Sequence, residues 1–292
     1  MKNTTKGYTL FKIINGIIML FIVVVTIYPF LYIFALSFSS NIAIMTGKVF
    51  VWPVDFTIDP YKRILDQNDF WTGYKNTFIY TITGTAVALF MTTLCAYPLS
   101  KKHLWGRGLF LKVMVFTMYF SGGLIPTYIL VNSLKMTDKI WAIIIPGAIN
   151  TYYMLVMKTF FEGIPESLEE AASIDGLNQF GMLVRIVLPL SKPILATIGL
   201  FSAVGYWNDW FSALIYLRSN NSNPVTLFLR NVVMGSQMAA KSGQAMDSGT
   251  TAILPQSLQA ATIMLVTLPI LVVYPFVQKY FVQGVLIGSI KE

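Results

Sequence analysis

Residues 169–193 read EEAASIDGLNQFGMLVRIVLPLSKP and lie between two long apolar runs. Glu169, Glu170 and Asp175, with Glu166 just upstream, are four of only 13 acidic residues in a chain of 292. The local pattern is nonetheless helical. Ser167 followed by Glu170 has the form of a capping box, in which Ser covers a first-turn amide and Glu reaches back. Leu168, Ala171, Ala172 and Asp175 fall near one face at helical spacing. Gly176 supplies the left-handed residue that stops a helix. Asn178 is placed to cap a second helix, with Phe180, Leu183, Val184, Val187 and Leu188 as its apolar stripe. Pro189 is expected to end that helix and Pro193 to open the next element. The stretch therefore predicts two short helices joined at a glycine, the first acidic and small-faced. The plain alternative is a solvated amphipathic hairpin that only connects its neighbours.

The rest of the chain sets the context. Hydrophobic residues make up 55% and charged residues 12%, too few charges to cover a water-soluble globule of this size. Apolar runs of bilayer-crossing length recur, which predicts an all-α, multi-pass membrane protein with a single transmembrane domain over 1–292. Six spans are expected at about 13–38, 77–99, 109–131, 140–160, 193–217 and 258–281, with a loop at 162–192. Gly122-Gly123 and Pro126 in the third span, and Pro269 and Pro275 in the sixth, are breakers that kink membrane helices.

The net charge of +8 does not point to nucleic acid, because the basic residues sit at the ends of apolar runs, where a bilayer holds them. Cys95 is alone and His103 is the only histidine. An intrachain disulfide, a Cys metal cluster, a His-based zinc site and a His-centred triad are thereby excluded. Lys2, Lys6 and Lys12 before an apolar run imitate a signal peptide, and Ala35-Leu36-Ser37 imitates a cleavage site. The run is too long for a signal core, so an uncleaved first span is expected.

The lysine-rich tail and the acid-free loop SKKHLWGRGLFLK (100–112) fall on one side if six spans are correct, and that side should be cytoplasmic. The 162–192 loop and both termini fall there too. Segments 39–76, 132–139 and 218–257 face outward. Trp52, Trp71, Trp105 and Trp141 lie near the expected interfaces, as aromatic belts do.

The order Glu170-Ala171-Ala172, three residues, Gly176, nine residues, Ile186, one residue, Leu188-Pro189 resembles the signature loop of ABC-importer permeases. The resemblance implies the type I importer-permease fold, with this loop as a coupling helix docked in a cleft of a cytoplasmic ATPase subunit. Glu170, beside Glu169 and Asp175, would face a basic residue there. Ala171, Ala172 and Gly176 would allow close contact, and Ile186, Leu188 and Pro189 would belong to the bracing helix.

The similarity extends over nearly the whole chain. TIYPFLYIFALSFSS (26–40), GYKNTFIYTITGT (73–85), VGYWNDWFSALIYL (204–217) and the ending from residue 261 look like carbohydrate-uptake permeases, within them the smaller, maltose-permease-like subunit. The ending, with Tyr274-Pro275-Phe276, Gln278-Lys279-Tyr280-Phe281 and Gly284, looks closest to importers of complex or acidic oligosaccharides such as alginate or pectin fragments. Such systems imply a sister permease in a heterodimer, two ATPase copies that bind ATP and Mg, and an external solute-binding protein. This chain has no G-x-x-x-x-G-K-[ST] loop, since Gly47-Lys48 lacks the upstream glycine. No catalytic residue and no cofactor are expected in it.

Trp207, Asn208, Asp209 and Trp210 are candidate pathway residues in the fifth span. An Asp facing lipid costs several kcal/mol, so Asp209 should face a cavity, a partner or water. Asn offers donors and acceptors, and Trp faces suit the apolar faces of sugars. The other reading bonds Asn208 and Asp209 between subunits and leaves the tryptophans in the interface belt. Asn150-Thr151-Tyr152-Tyr153 in the fourth span and Tyr119-Phe120-Ser121 in the third are further candidates, with Asn150, Tyr152 and Tyr119 foremost. The outward segment 218–249 is a binding-protein docking site or a disordered connector, with a short amphipathic helix at Pro224–Val233. The tail at 288–292 touches the ATPase or frays. A permease for polyamine or phosphate, and an ion-driven transporter, are the competing classes. The last predicts mid-span carboxylates, but the acids other than Asp209 lie in loops.

Overall fold

A computed structural model describes residues 6–241 and 254–289. Lys2, residues 242–253 of the segment expected to face outward, and the tail residues 290–292 lie outside them. Among the described residues every regular element is helical. The helices run α1 (Lys6–Ser37), α2 (Asn41–Met45), α3 (Asp59–Leu65), α4 (Asn68–Ser100), α5 (Arg107–Tyr119), α6 (Leu124–Ser133), α7 (Trp141–Ile144) and α8 (Thr151–Glu162). They continue as α9 (Glu166–Ile174), α10 (Gln179–Met182), α11 (Leu188–Leu190), α12 (Lys192–Trp207), α13 (Phe211–Tyr216), α14 (Val225–Lys241) and α15 (Pro255–Ser289). The helix expected at Pro224–Val233 is thus the first part of a longer one.

Among the described residues three helices are long and apolar enough to cross a membrane: Gly7–Ser37, Asn68–Ser100 and Pro255–Pro275. Two further helix pairs meet the same standard when each is taken as one bent span. Arg107–Tyr119 and Leu124–Ser133 meet at 114°, and Gln179–Leu190 and Lys192–Trp207 at 82°. The first bend falls where Phe120 is extended and Gly123 takes φ 87, the backbone freedom that only glycine gives cheaply. The expected span at 140–160 is divided between α7 and α8, with a turn around Pro146-Gly147 between them.

The chain forms two compact units. The first comprises residues 1–68 and 229–268. Its α1 exposes apolar side chains on all sides from Tyr8 to Tyr28, a surface that a bilayer tolerates and water does not. At the end of α1, Ala35 packs with Ala43 and Val49. The Phe38 ring stacks on Phe56 at 5.3 Å and on Tyr61 at 4.6 Å. The Tyr61 hydroxyl donates to Ser37 Oγ at 2.8 Å, and burial pushes its pKa up.

The second unit comprises residues 69–228 and 269–292. One core joins Ala96, Tyr97 and Leu99 of α4, Met154, Met157 and Phe161 of α8, Leu183 and Val187, and Ile194 and Ile198 of α12. At the other end of α4, three side chains within about one turn hold the strap that leads into α14. Asn76 Nδ2 donates to the Asn221 carbonyl at 2.7 Å, the Tyr80 hydroxyl donates to the Ser222 carbonyl at 2.6 Å, and Thr77 Oγ1 accepts from the Val225 amide at 2.8 Å. Asp138 accepts from the amides of Arg218 and Ser219, each at 3.1 Å. The Ser219 amide, then that of Arg218, holds its carboxyl below the usual carboxylate range.

Gly84 sets the approach of α4 to α12. A Cβ there would meet three atoms of the Tyr206 ring at 2.8 Å, and Tyr206 is fixed in turn by a 3.2 Å bond from its hydroxyl to the Ile144 carbonyl. Gly84→Val should therefore destabilise the protein by about 1–3 kcal/mol, the usual cost of overpacking. Thermal unfolding in detergent reads this as a lowered Tm, and an unchanged Tm would contradict the contact.

Candidate functional site

The acidic stretch folds as two short helices about a glycine, and its details differ from the expected caps in two places. Helix α9 starts at Glu166, so Ser167 is its second residue and not its cap; no side chain caps it, and the expected box with Glu170 is not formed. Pro165 causes the shift. It stands at the boundary with φ −57 and ψ 130, and its carbonyl already accepts from Leu168 at 3.2 Å. Glu166 and Glu169 in the first turn favour the positive end of the helix dipole instead.

The far end of α9 matches the sequence. Gly176 takes φ 81. The Leu177 amide bonds the Ala172 carbonyl at 3.0 Å and the Gly176 amide bonds the Ser173 carbonyl at 3.1 Å, the paired closure of a Schellman end. Asn178 Oδ1 then accepts from the Gly181 amide at 2.7 Å and caps α10.

The second difference concerns Pro189. The chain widens into a π-helical turn over Leu183–Val187 and stays helical through Pro189 to Leu190. A π turn accommodates a proline because it re-registers the carbonyls that the missing N–H leaves without a donor. The direction changes at Ser191, not at the proline. Leu183 and Val187 are buried in the core and Leu188 packs against it, whereas Pro189 is exposed.

The acids have distinct surroundings. Glu169 pairs with Lys101, the side chains being 19% and 13% exposed. Removing one partner of such a sheltered pair costs about 3 kcal/mol. Glu166 and Lys102 pair at 3.3 Å but are 74% and 78% exposed, a geometry worth about 0–1 kcal/mol. Glu162 binds Arg107 and, at 2.8 Å, Lys158. Glu170 and Asp175 are exposed, and no described residue forms an ion pair with either. Ala172 is buried against its own chain, Ala171 faces out, and Ile174 is 87% exposed. Between α9 and the end of α4 lies a cavity of about 800 Å³, lined among others by Lys101, Lys102, Glu166, Glu169, Glu170 and Gln179.

The candidate pathway residues mark helix ends. Helix α12 stops at Trp207, so the span expected at 193–217 is interrupted. Asn208 Nδ2 donates to the Val204 carbonyl at 3.0 Å, and Asp209 Oδ1 accepts at 3.0 Å from the amide of Ser212 in the first turn of α13. Asn150 Oδ1 likewise accepts from the Tyr153 amide at 3.1 Å and caps α8. Asn150 and Asp209 meet at a cavity of about 330 Å³, together with Tyr153, Phe201, Tyr206 and Ser212. The rings of Tyr153 and Phe201 stack there at 5.8 Å.

Trp207, Asn208, Trp210, Tyr152 and Tyr119 do not line that cavity. Trp207 is buried against the ring edges of Tyr74 and Phe78 at 6.2 and 5.2 Å. Trp210 meets Phe211 edge-on, while Tyr152 and Tyr119 are 55% and 75% exposed. Tyr153, named with its neighbours as a candidate, does line the cavity, whereas sequence reasoning missed Phe201 and Tyr206, whose apolar spacing gives no sign of it. It also missed Lys101. The signal for Lys101 was present as an acid-free basic loop expected on the same side as the acidic one.

No protein-family model matches the chain. It is 43% identical over 289 residues to Protein LplC of Bacillus subtilis (strain 168), covering 99% of this chain and 97% of that protein. It is 40% identical over 280 residues to the polygalacturonan/rhamnogalacturonan transport system permease protein YtcP of the same strain, covering 96% and 97%. Among solved structures it matches a chain of a bacterial ABC transporter involved in the import of the acidic polysaccharide alginate, with TM-score 0.87 and 34% identity over 96% of this chain and 100% of that one.

The left-handed turn makes a direct test possible. Nothing lies within 4 Å of a Cβ at Gly176, so any penalty there is purely conformational. Gly176→Val should loosen the end of α9 by about 1–2 kcal/mol, and Gly176→Asn by less. Hydrogen exchange at the Gly176-position and Leu177 amides should quicken in the order glycine, asparagine, valine. Equal exchange in all three would refute the closure.

Proposed function

Because the chain belongs to the permeases of ABC carbohydrate importers, we propose that it forms, with a sister permease, a bilayer pathway worked from the cytoplasm by two copies of an ATPase. It is a permease subunit that serves oligosaccharide uptake, which sets aside the polyamine, phosphate and ion-driven alternatives. ATP and Mg are bound in the partner ATPases. An extracytoplasmic binding protein delivers the sugar. This reading counts six membrane passages, taking the divided α7–α8 region as one, with both termini and the 162–192 loop in the cytoplasm. Fragments of complex or acidic polysaccharide are the substrate class that the relatives' names favour.

The observation that carries the docking role is the exposed, unpaired Glu170 on a helix whose other end is locked at Gly176. A carboxylate that no described residue of its own chain pairs with is placed to meet a basic group on another. Asp175 and the almost fully exposed Ile174 extend the same surface. Ala171, Gly176, Ile186, Leu188 and Pro189 complete the contact and its brace.

The cavity at Asn150 and Asp209 is the best candidate for a sugar-lining surface. Its stacked rings suit the apolar faces of a sugar, and its amide and carboxylate suit the hydroxyls. Asn150 also caps α8 and Asp209 accepts from the first turn of α13, so both are held in place before any ligand arrives.

Glu170→Arg should lower recovery of the ATPase with the permease on the order of tenfold, because a like charge then faces the basic partner. Co-purification from membranes measures it. Wild-type recovery would reject docking through Glu170.

A further inference from the structure

Helix α9 is attached to its unit by little apolar packing. Ala172 is its one buried residue, and a cavity of about 800 Å³ separates much of it from the end of α4. Something other than a continuous core must fix its position. Lys101, just past α4, ion-pairs with Glu169 on α9, and its ammonium also lies 4.5 Å from the centroid of the Tyr97 ring. Tyr97, one helical turn back in α4, is buried. Its hydroxyl donates to Gln179 Oε1 at 3.1 Å, at the first residue of α10. Its ring meets Phe161 of α8 edge-on at 6.3 Å.

The last turn of α4 and the residue just past it therefore grip the acidic hairpin on both sides of its glycine joint, at Glu169 before Gly176 and at Gln179 after it. Behind it, Arg107 donates from Nε to the Leu99 carbonyl at 2.9 Å and also pairs with Glu162 at the end of α8. The base of the grip is thus tied to the helix that leads into the hairpin.

We propose that Lys101, seated on Tyr97, is a positioning residue that carries displacement of α9 into α4, so that the loop between α4 and α5 serves as the hairpin's rigid backing. The proposal rests on the reading of α9 as the ATPase contact. Lys101 itself touches neither nucleotide nor sugar. It acts through Glu169, while Glu170, one residue on, remains free for the partner. In a loop held only by its covalent ends, a push on α9 would be absorbed at the Gly176 joint. With Lys101 in place the push arrives at a long membrane helix whose opposite face lines the Asn150 and Asp209 cavity through Ala88 and Thr92.

The test uses the complete permease–ATPase complex in proteoliposomes, with Cys95→Ser and a single reporter Ser212→Cys at that cavity. A membrane-impermeant maleimide reads reporter accessibility with and without ATP plus vanadate. Lys101→Met and Glu169→Gln should each shrink the ATP-induced change in labelling rate on the order of tenfold, within the range that single contacts modulate coupling. ATP hydrolysis and ATPase recovery should stay within about twofold. Lys101→Arg, and the reversed pair Lys101→Glu with Glu169→Lys, should restore the response. An ATP response preserved in both single variants, or no recovery in an assembled reversed-pair complex, overturns the proposal. The Glu170→Arg complex separates the two ideas. Undiminished ATPase recovery there defeats the docking reading, whereas lost recovery with an intact response in the Lys101 and Glu169 variants defeats only the role of Lys101.

Discussion

The Lys101 ammonium answers to two partners, a carboxylate on Glu169 and the face of a buried tyrosine. Both attractions strengthen as water is excluded, and Lys101 is the more sheltered member of its pair. The position of α9 depends on this contact because the hairpin buries so little of its own surface. The capped and glycine-closed helices give the hairpin internal rigidity. The ion pair gives it a fixed place.

The same division of labour recurs in the membrane-spanning region. Long helices such as α4 supply the frame, and the broken regions between α7 and α8 and between α12 and α13 supply polar groups. A helix end inside a bilayer leaves backbone amides and carbonyls that must be satisfied within the protein or by cavity water. Asn150, Asn208 and Asp209 do this with their own side chains. Part of the cost of burying a carboxylate is thereby offset locally, and a cavity with fixed polar groups is the by-product.

Much of this was legible in the sequence where a local rule had one strong candidate. Gly176 was recognisable as a helix stop because its left-handed conformation is cheap for glycine alone, and Asn178 as a cap because its side chain reaches its own third following amide. Ser167 had equal local credentials and failed, since Pro165 upstream had already fixed where the turn begins. Pro189 was expected to end its helix, but the π turn before it absorbed the missing donor. These outcomes were set by neighbouring backbone, which residue-by-residue rules do not weigh. The breaks in the spans were visible only as glycines, prolines and an Asn-Asp pair within apolar runs. Hydropathy does not distinguish a kink from a 114° bend. The pairing of Lys101 with Glu169 joins residues 68 positions apart. Charge complementarity on one side of the membrane hinted at it, while the partner choice among Lys101, Lys102 and four acids required the fold.

The central claim is that α9 and the loop after α4 move as one body. Electron–electron distance measurements between spin labels at Ser167→Cys and Trp105→Cys, in the Cys95→Ser complex, test it without altering the ion pair. The distance distribution in the nucleotide-free complex should shift by no more than about 2 Å on ATP trapping, the scale of small packing adjustments, whereas a change of about 5 Å, one helical turn, would show the hairpin sliding on its backing and contradict the account.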